Sequence, residues 1–212
     1  MKIRFLLLAA VAAGSLVRTL NAQTEHQHHP PRDAAEYARV LEDPKRDLWQ
    51  LPHQVIAALH IRPGEVIADI GAGSGYFTRR LAQHAGRVYA IDIDAKMLDL
   101  LKQNVPGNVT AILAEPEDPK LPAASVDTVF FCDVLHHISN RPAYFEKLAK
   151  ALKPGGRVVN IDFYKKPLPV GPPESMKLSE QQVEHDFAAA GFHLVKRVDV
   201  LPYQYFLIFG RQ

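Results

Sequence analysis

The chain has 212 residues, room for one domain, because single hydrophobic cores stop growing at roughly 250–300 residues. Hydrophobic residues make up 47%, an ordinary globular share, and beyond the N-terminus no run reaches the roughly 20 apolar residues of a membrane helix. The 25 Lys and Arg against 23 Asp and Glu give a formal charge of +2, but Lys2, Arg4 and Arg18 lie in residues 1–22 with no acid among them. The rest therefore has a slight acidic excess and no electrostatic footprint for nucleic acid. Cys132 is the only cysteine, which excludes an intramolecular disulfide and a thiolate cluster for zinc or arsenic.

Residues 1–22 read as a secretory signal peptide. Lys2 and Arg4 form the positive start, residues 5–17 the apolar stretch, and Leu20-Asn21-Ala22 the cleavage site. That predicts an exported, periplasmic or secreted protein with no stable membrane span after processing. Residues 23–32, with His26, His28 and His29, read as a flexible leader, and 33–212 as the domain. Residues 33–43 look helical up to Pro44, and 46–60 contain a second helix with Val55, Ile56 and Leu59 on one face. These two are expected to cap the core.

Strand and helix patterns then alternate. Strands are predicted at 66–70, 88–91, 109–113, 126–131 and 157–163, with helices at 76–84, 95–104 and 141–152 between them. Lys153-Pro154-Gly155-Gly156 is expected to stop the last of these helices. Such βα repeats make a parallel sheet covered on both faces. A Pro-rich stretch, 165–177, reads as an ordered loop. Ser179 then caps a helix that runs to Ala190, with Gln182 as its capping-box partner, and strands at 192–198 and 203–209 close the chain as an antiparallel pair.

The stretch from Val66 to Tyr76 joins the first strand to its helix through Gly71-Ala72-Gly73-Ser74-Gly75. Glycines there let backbone approach a ligand closely, at the carboxyl end of a strand where nucleotides bind. The dinucleotide pattern wants a third glycine at Tyr76, so a nicotinamide cofactor fits poorly. Asp69, closing the first strand, suits a ligand with an ammonium group rather than a pyrophosphate. Asp92 ends the second strand, where a carboxylate can accept from both ribose hydroxyls. Asp94 reads as a turn or cap residue, and Met97 as core or as a flank for the base.

These residues resemble the class I S-adenosylmethionine (SAM)-dependent methyltransferases. Asp69-Ile-Gly-Ala-Gly-Ser-Gly75 resembles the family's first motif and Ala90-Ile91-Asp92 its ribose-binding motif. Ser125-Val-Asp-Thr-Val-Phe-Phe-Cys-Asp133-Val-Leu-His-His137 resembles the fourth strand and its loop, and Leu152-Lys-Pro-Gly-Gly156 the turn before the fifth. The stretch Arg46 to Pro52 is similar to a small bacterial subgroup. The resemblance implies an α/β, Rossmann-like, mostly parallel sheet of seven strands in the order 3-2-1-4-5-7-6, strand 7 antiparallel, with helices on both faces. It implies that Asp69, Gly71, Ala72, Gly73 and Gly75 hold the methionine part of SAM and Asp92 the ribose. It also implies an adenine contact after strand 3, from Glu115, Glu117 or Asp118, with Glu115 first in sequence. Pro116 has no N–H to offer there.

A methyl acceptor that carries a proton needs a base. His136 and His137 lie just past strand 4, and either is a candidate base or a wall of the acceptor pocket. Asp133 reads as a cofactor or pocket residue. Tyr37, Trp49, Tyr76, Tyr164 and Tyr203 are candidate linings. A small-molecule acceptor and no metal are expected. The alternatives are a SAM-binding module without turnover and an NAD(P)-dependent reductase on a related sheet.

Overall fold

The computed structural model describes residues 33–211. The signal-peptide and leader readings lie outside the described residues. The sheet has seven strands in the order β3-β2-β1-β4-β5-β7-β6, as expected. They are β1 Val66–Ile70, β2 Arg87–Asp92, β3 Val109–Leu113, β4 Val126–Cys132, β5 Leu152–Phe163, β6 Phe192–Arg197 and β7 Gln204–Arg211. β1 to β5 pair in parallel, and β7 runs antiparallel to both β5 and β6. Apolar β4, β5 and β7 are buried on both faces, so their strands read as continuous hydrophobic runs.

Helices α4 Tyr76–Ala82, α5 Ala95–Lys102, α6 Arg141–Ala151 and α7 Glu180–Ala189 follow their strands or the Pro-rich loop. Stacked rings of Phe145, Phe187 and Phe209 fix α6 and α7 against one face of the sheet. At α7 only half of the expected capping box forms. The Ser179 hydroxyl accepts from the Gln182 N–H at 3.2 Å, but the Gln182 amide turns to Asp186 at 2.7 Å. No helix among the described residues is long and apolar enough to cross a membrane.

Two expected elements are corrected. The helix expected within 46–60 is two, α2 Asp47–Gln50 and α3 Pro52–Leu59, because Leu51 takes a left-handed φ of 44° between them. Pro52 disfavours the right-handed helical region at the residue before it and suits the first turn of the next helix. The helix expected to reach Leu152 ends at Ala151, and Lys153 to Gly156 belong to the start of β5 as an irregular entry. Leu152 already pairs with Val126, and the register shifts before Thr128 meets Arg157. Gly156 has no room for a side chain, since a Cβ there would stand 2.9 Å from the Lys153 carbonyl oxygen.

The first described residues lie over the carboxyl edge of the sheet, where Leu41, Glu42 and Arg46 reach the loops after β1 and β4. α1 Ala34–Leu41, capped by Asp33, packs on α5. α3 packs on α4 through Val55, Ile56 and Leu59.

Candidate active site

The loop after β1 is held from below and above. The Gly71 and Ala72 N–H groups both donate to the Ile91 carbonyl, and the Gly73 N–H donates to Asp92 Oδ2 at 2.8 Å. Gly71 and Gly73 have φ of 70° and 54°, where side chains are strained. A Cβ at Gly71 would stand 2.3 Å from Val134, so the loops after β1 and β4 are pressed together. From above, Leu41 approaches Gly73, and Glu42 accepts from the Ser74 hydroxyl and from Arg79. Met97 is buried against this loop.

Asp69 is buried, and its Oδ2 accepts from the Thr78 hydroxyl at 2.6 Å. Burial pushes its carboxyl up to about 7 despite that bond, with Asp92 adding to the rise and Arg46 opposing it. Burial also raises Asp92, whose oxygens accept from the Gly73 and Asp94 N–H groups. Ile93, directly after Asp92, is half exposed, an apolar face beside a carboxylate that sequence reading passed over. Glu115 is exposed and pairs with Lys120 at 2.9 Å, Glu117 accepts from Asn140, and Asp118 lies between Lys120 and Lys147.

A closed ring of hydrogen bonds joins three distant segments. Arg46 donates to Gln50 at 3.1 Å and to Asp133 at 3.4 Å, Gln50 donates to Gln204 at 2.7 Å, and Gln204 donates back to Asp133. Both Asp133 oxygens are engaged, and burial raises its carboxyl to about 6 although Arg46 opposes the rise. Tyr76 is clamped between the guanidinium groups of Arg46 and Arg80, each 4.1 Å from its ring centre, and its hydroxyl donates to Asp47. It is thus part of the frame that seats the N-terminal segment.

His136 and His137 sit on a short turn after β4 with ring centres 4.1 Å apart, but the structure separates their settings. His137 is exposed, whereas the His136 ring is buried and its Nδ1 lies 2.9 and 3.0 Å from the two oxygens of Asp162. A carboxylate accepts, so Nδ1 carries the proton and Nε2 is the ring's remaining acceptor. Burial favours the neutral ring, but the Asp162 bond and charge, with Asp133, outweigh it and hold the imidazole above its usual value. Asp162 escaped sequence reading, though a charge between Ile161 and Phe163 in an apolar strand was a visible signal. Cys132 is buried, and burial holds its thiol well above the usual range.

Trp49 packs against Phe163 with ring centres 5.6 Å apart, at the same edge of the sheet. Tyr164 and Tyr203 meet through their backbones near the end of β5, and Tyr37 is half buried on α1. Among the described residues there is no group of three or more His, Cys, Asp or Glu side chains that could hold a metal ion.

Residues 68–160 match the family model described as "Methyltransferase domain". A "SAM dependent methyltransferase" from Aquifex aeolicus has a crystal structure that superposes with a TM-score of 0.79 at 26% identity, over 86% of this chain and 100% of that one. The matched stretch runs from within β1 to within β5 and includes the glycine loop, so the likeness to a methyltransferase domain falls on the site itself. The biotin biosynthesis bifunctional protein BioHC of Cellvibrio japonicus is 34% identical over 119 residues, which are 56% of this chain and 23% of that protein. The demethylmenaquinone methyltransferase of Tropheryma whipplei is 34% identical over 107 residues, 50% of this chain and 44% of its own length. The chain thus spans less than half the length of these two curated relatives.

The described geometry fits SAM. At Gly71 a side chain would collide with Val134 and at Gly73 it would crowd Leu41, so only glycine lets this turn form between its neighbours. Asp92 accepts from neighbouring backbone N–H groups, and a carboxylate has about four lone-pair sites, so it can still accept from a ribose hydroxyl.

Proposed function

We propose that this chain transfers the sulfonium methyl of SAM to a small-molecule acceptor whose O, N or S nucleophile carries a proton. SAM supplies a methyl group already activated on a positively charged sulfur, so alignment of the acceptor accounts for much of the rate. Gly71, Ala72, Gly73 and Gly75 cradle the methionine part, and Asp69 offers its second oxygen to the ammonium. Asp92 takes the ribose hydroxyls. Ile93 offers an apolar face to the purine, and Glu115 is the first candidate for its amino group. Asp133 acts through Arg46 and Gln204, positioning the segment that covers the pocket.

The observation that carries turnover, rather than binding alone, is the His136–Asp162 pair on the sheet edge that also bears the glycine loop. His136 takes the acceptor's proton at Nε2 as the nucleophile attacks in line. Asp162 is a positioning residue that fixes the tautomer and the ring plane. His137 stands outside this pair as a wall residue.

Equilibrium binding of SAM and NADH to the purified protein, followed by incubation of methyl-labelled SAM with a metabolite pool, tests the reading. Micromolar SAM binding, no measurable NADH binding and one labelled small molecule are expected. Preference for NADH overturns it in favour of a reductase. SAM binding without transfer to any acceptor overturns turnover and leaves the binding module. We also propose export through residues 1–22, with 33–212 as the working domain. Mass spectrometry of the native N-terminus checks this, and an intact Met1 on the bulk of the protein rejects it.

A further inference from the structure

Lys177 is buried, and no other lysine or arginine among the described residues is. A buried ammonium is costly unless something pairs with it. Here the Nζ has three donors and makes one hydrogen bond, to the Lys166 carbonyl at 2.8 Å, and it lies 5.8 Å from the centre of the Phe163 ring. It pairs with no carboxylate among the described residues, whereas the part-buried Arg46, Arg141 and Arg157 each have one. A carbonyl oxygen does not neutralise a charge.

The setting of Lys177 is equally specific. It ends the Pro-rich strap that returns from β5, and the strap is pinned on the aromatic floor. A Cβ at Gly171, where φ is 88°, would stand 2.7 Å from the Phe163 ring. The strap itself lines a cavity of about 470 Å³, with Pro167, Leu168, Pro172, Pro173 and Glu174 around it as well as Lys177. Glu174 is exposed while Lys177 is buried, so the cavity has a polar rim and a cationic interior. The floor continues from Phe163 to Trp49, and Lys177 is one of the charges that act on the His136 ring. Lys177 and Trp49 both lie against Phe163, the residue that follows Asp162 at the end of β5.

We propose that the strap cavity is a subsite of the acceptor pocket in which Lys177 takes a carboxylate or phosphate of the methyl acceptor. The proposal rests on the methyltransferase reading above. The acceptor is then an anionic small molecule with an apolar or aromatic body, its anion held by Lys177 and its nucleophile turned toward His136.

Trp49 is the only tryptophan of the chain, so its fluorescence reports on this pocket. The protein saturated with S-adenosylhomocysteine is titrated with 3-phenylpropionate, phenyl phosphate and the neutral 3-phenylpropionamide. An anion is expected to bind at least about tenfold tighter than the amide, the size of one charge-assisted hydrogen bond. The tighter of the two anions identifies the group. Lys177→Met is expected to erase the preference with S-adenosylhomocysteine affinity unchanged, and Lys177→Arg to keep most of it. Equal binding of anions and amide by the wild type, or a preference that survives in Lys177→Met, overturns the proposal. Should the methionine variant not fold, Lys177→Gln and the wild-type comparison carry the same decision. Failure of S-adenosylhomocysteine to bind strikes the methyltransferase reading instead, and the same probe series without it still judges Lys177.

Discussion

A histidine buried in an apolar setting would titrate below its ordinary value of about 6.5, because burial penalises the charged ring. His136 titrates above it, and Asp162 is the main reason. Replacing Asp162 by Asn keeps the shape and removes the charge. Burial then acts on the imidazole without the bond and charge that outweigh it. NMR titration of the His136 ring is expected to move to lower pH by at least about one unit in Asp162→Asn, and an unmoved titration would refute the pairing. Turnover, measured with the labelled acceptor, is expected to fall about a hundredfold, with its pH profile displaced the same way. The positions of Asp69 and Asp92 were legible because each lies at the carboxyl end of a strand beside the glycine loop. The His136–Asp162 pair was legible in only one of its members. The carboxylate belongs to another strand, and sequence spacing carries no information about which side chains of two strands face each other.

At the scale of elements, the hydrogen-bonded ring decides how α2 is seated. Arg46 and Asp133 are 87 residues apart, and Gln50 and Gln204 are 154 apart, so no local pattern could announce the ring. Local chemistry did announce a helix within 46–60, and Pro52 carried the information for the break that sequence reading missed. Gln50 and Gln204 are buried, so these members of the ring cost more when orphaned than when removed together. Gln204→Leu leaves the Gln50 amide and one Asp133 oxygen without their partner and is expected to destabilise the fold by about 2 kcal/mol. In the double variant with Gln50→Leu, the Gln204 change is expected to cost about 1 kcal/mol less than it does alone, because one orphan is gone. Urea unfolding of the two single variants and the double variant measures this coupling. Strict additivity would mean that the ring does not act as a unit.

For the whole molecule, the alternation of strand and helix made the sheet legible, and the resemblance supplied its order and the reversed seventh strand. The state of the carboxylates at the sheet's edge was not legible, since it depends on how deeply the assembled layers bury them. That burial couples ligand binding to pH. Asp69 sits at about 7 in the free protein, so a growing fraction is neutral as the pH falls below that value. A ligand whose ammonium group needs the carboxylate must displace that proton, and its affinity rises with pH up to about 7 and levels off above it. At pH 8 and a hundredfold excess over Kd, S-adenosylhomocysteine is expected to stabilise the fold by about 2.7 kcal/mol, or roughly 5–10 °C in Tm. At pH 5.5 and the same concentration the shift is expected to shrink to about a third. Asp133, at about 6, titrates in the same window, so Asp69→Asn is the control. In that variant the shift should be smaller and nearly independent of pH. A wild-type shift of equal size at both pH values would mean that the ammonium group does not use Asp69 and that this buried carboxylate serves only to hold Thr78.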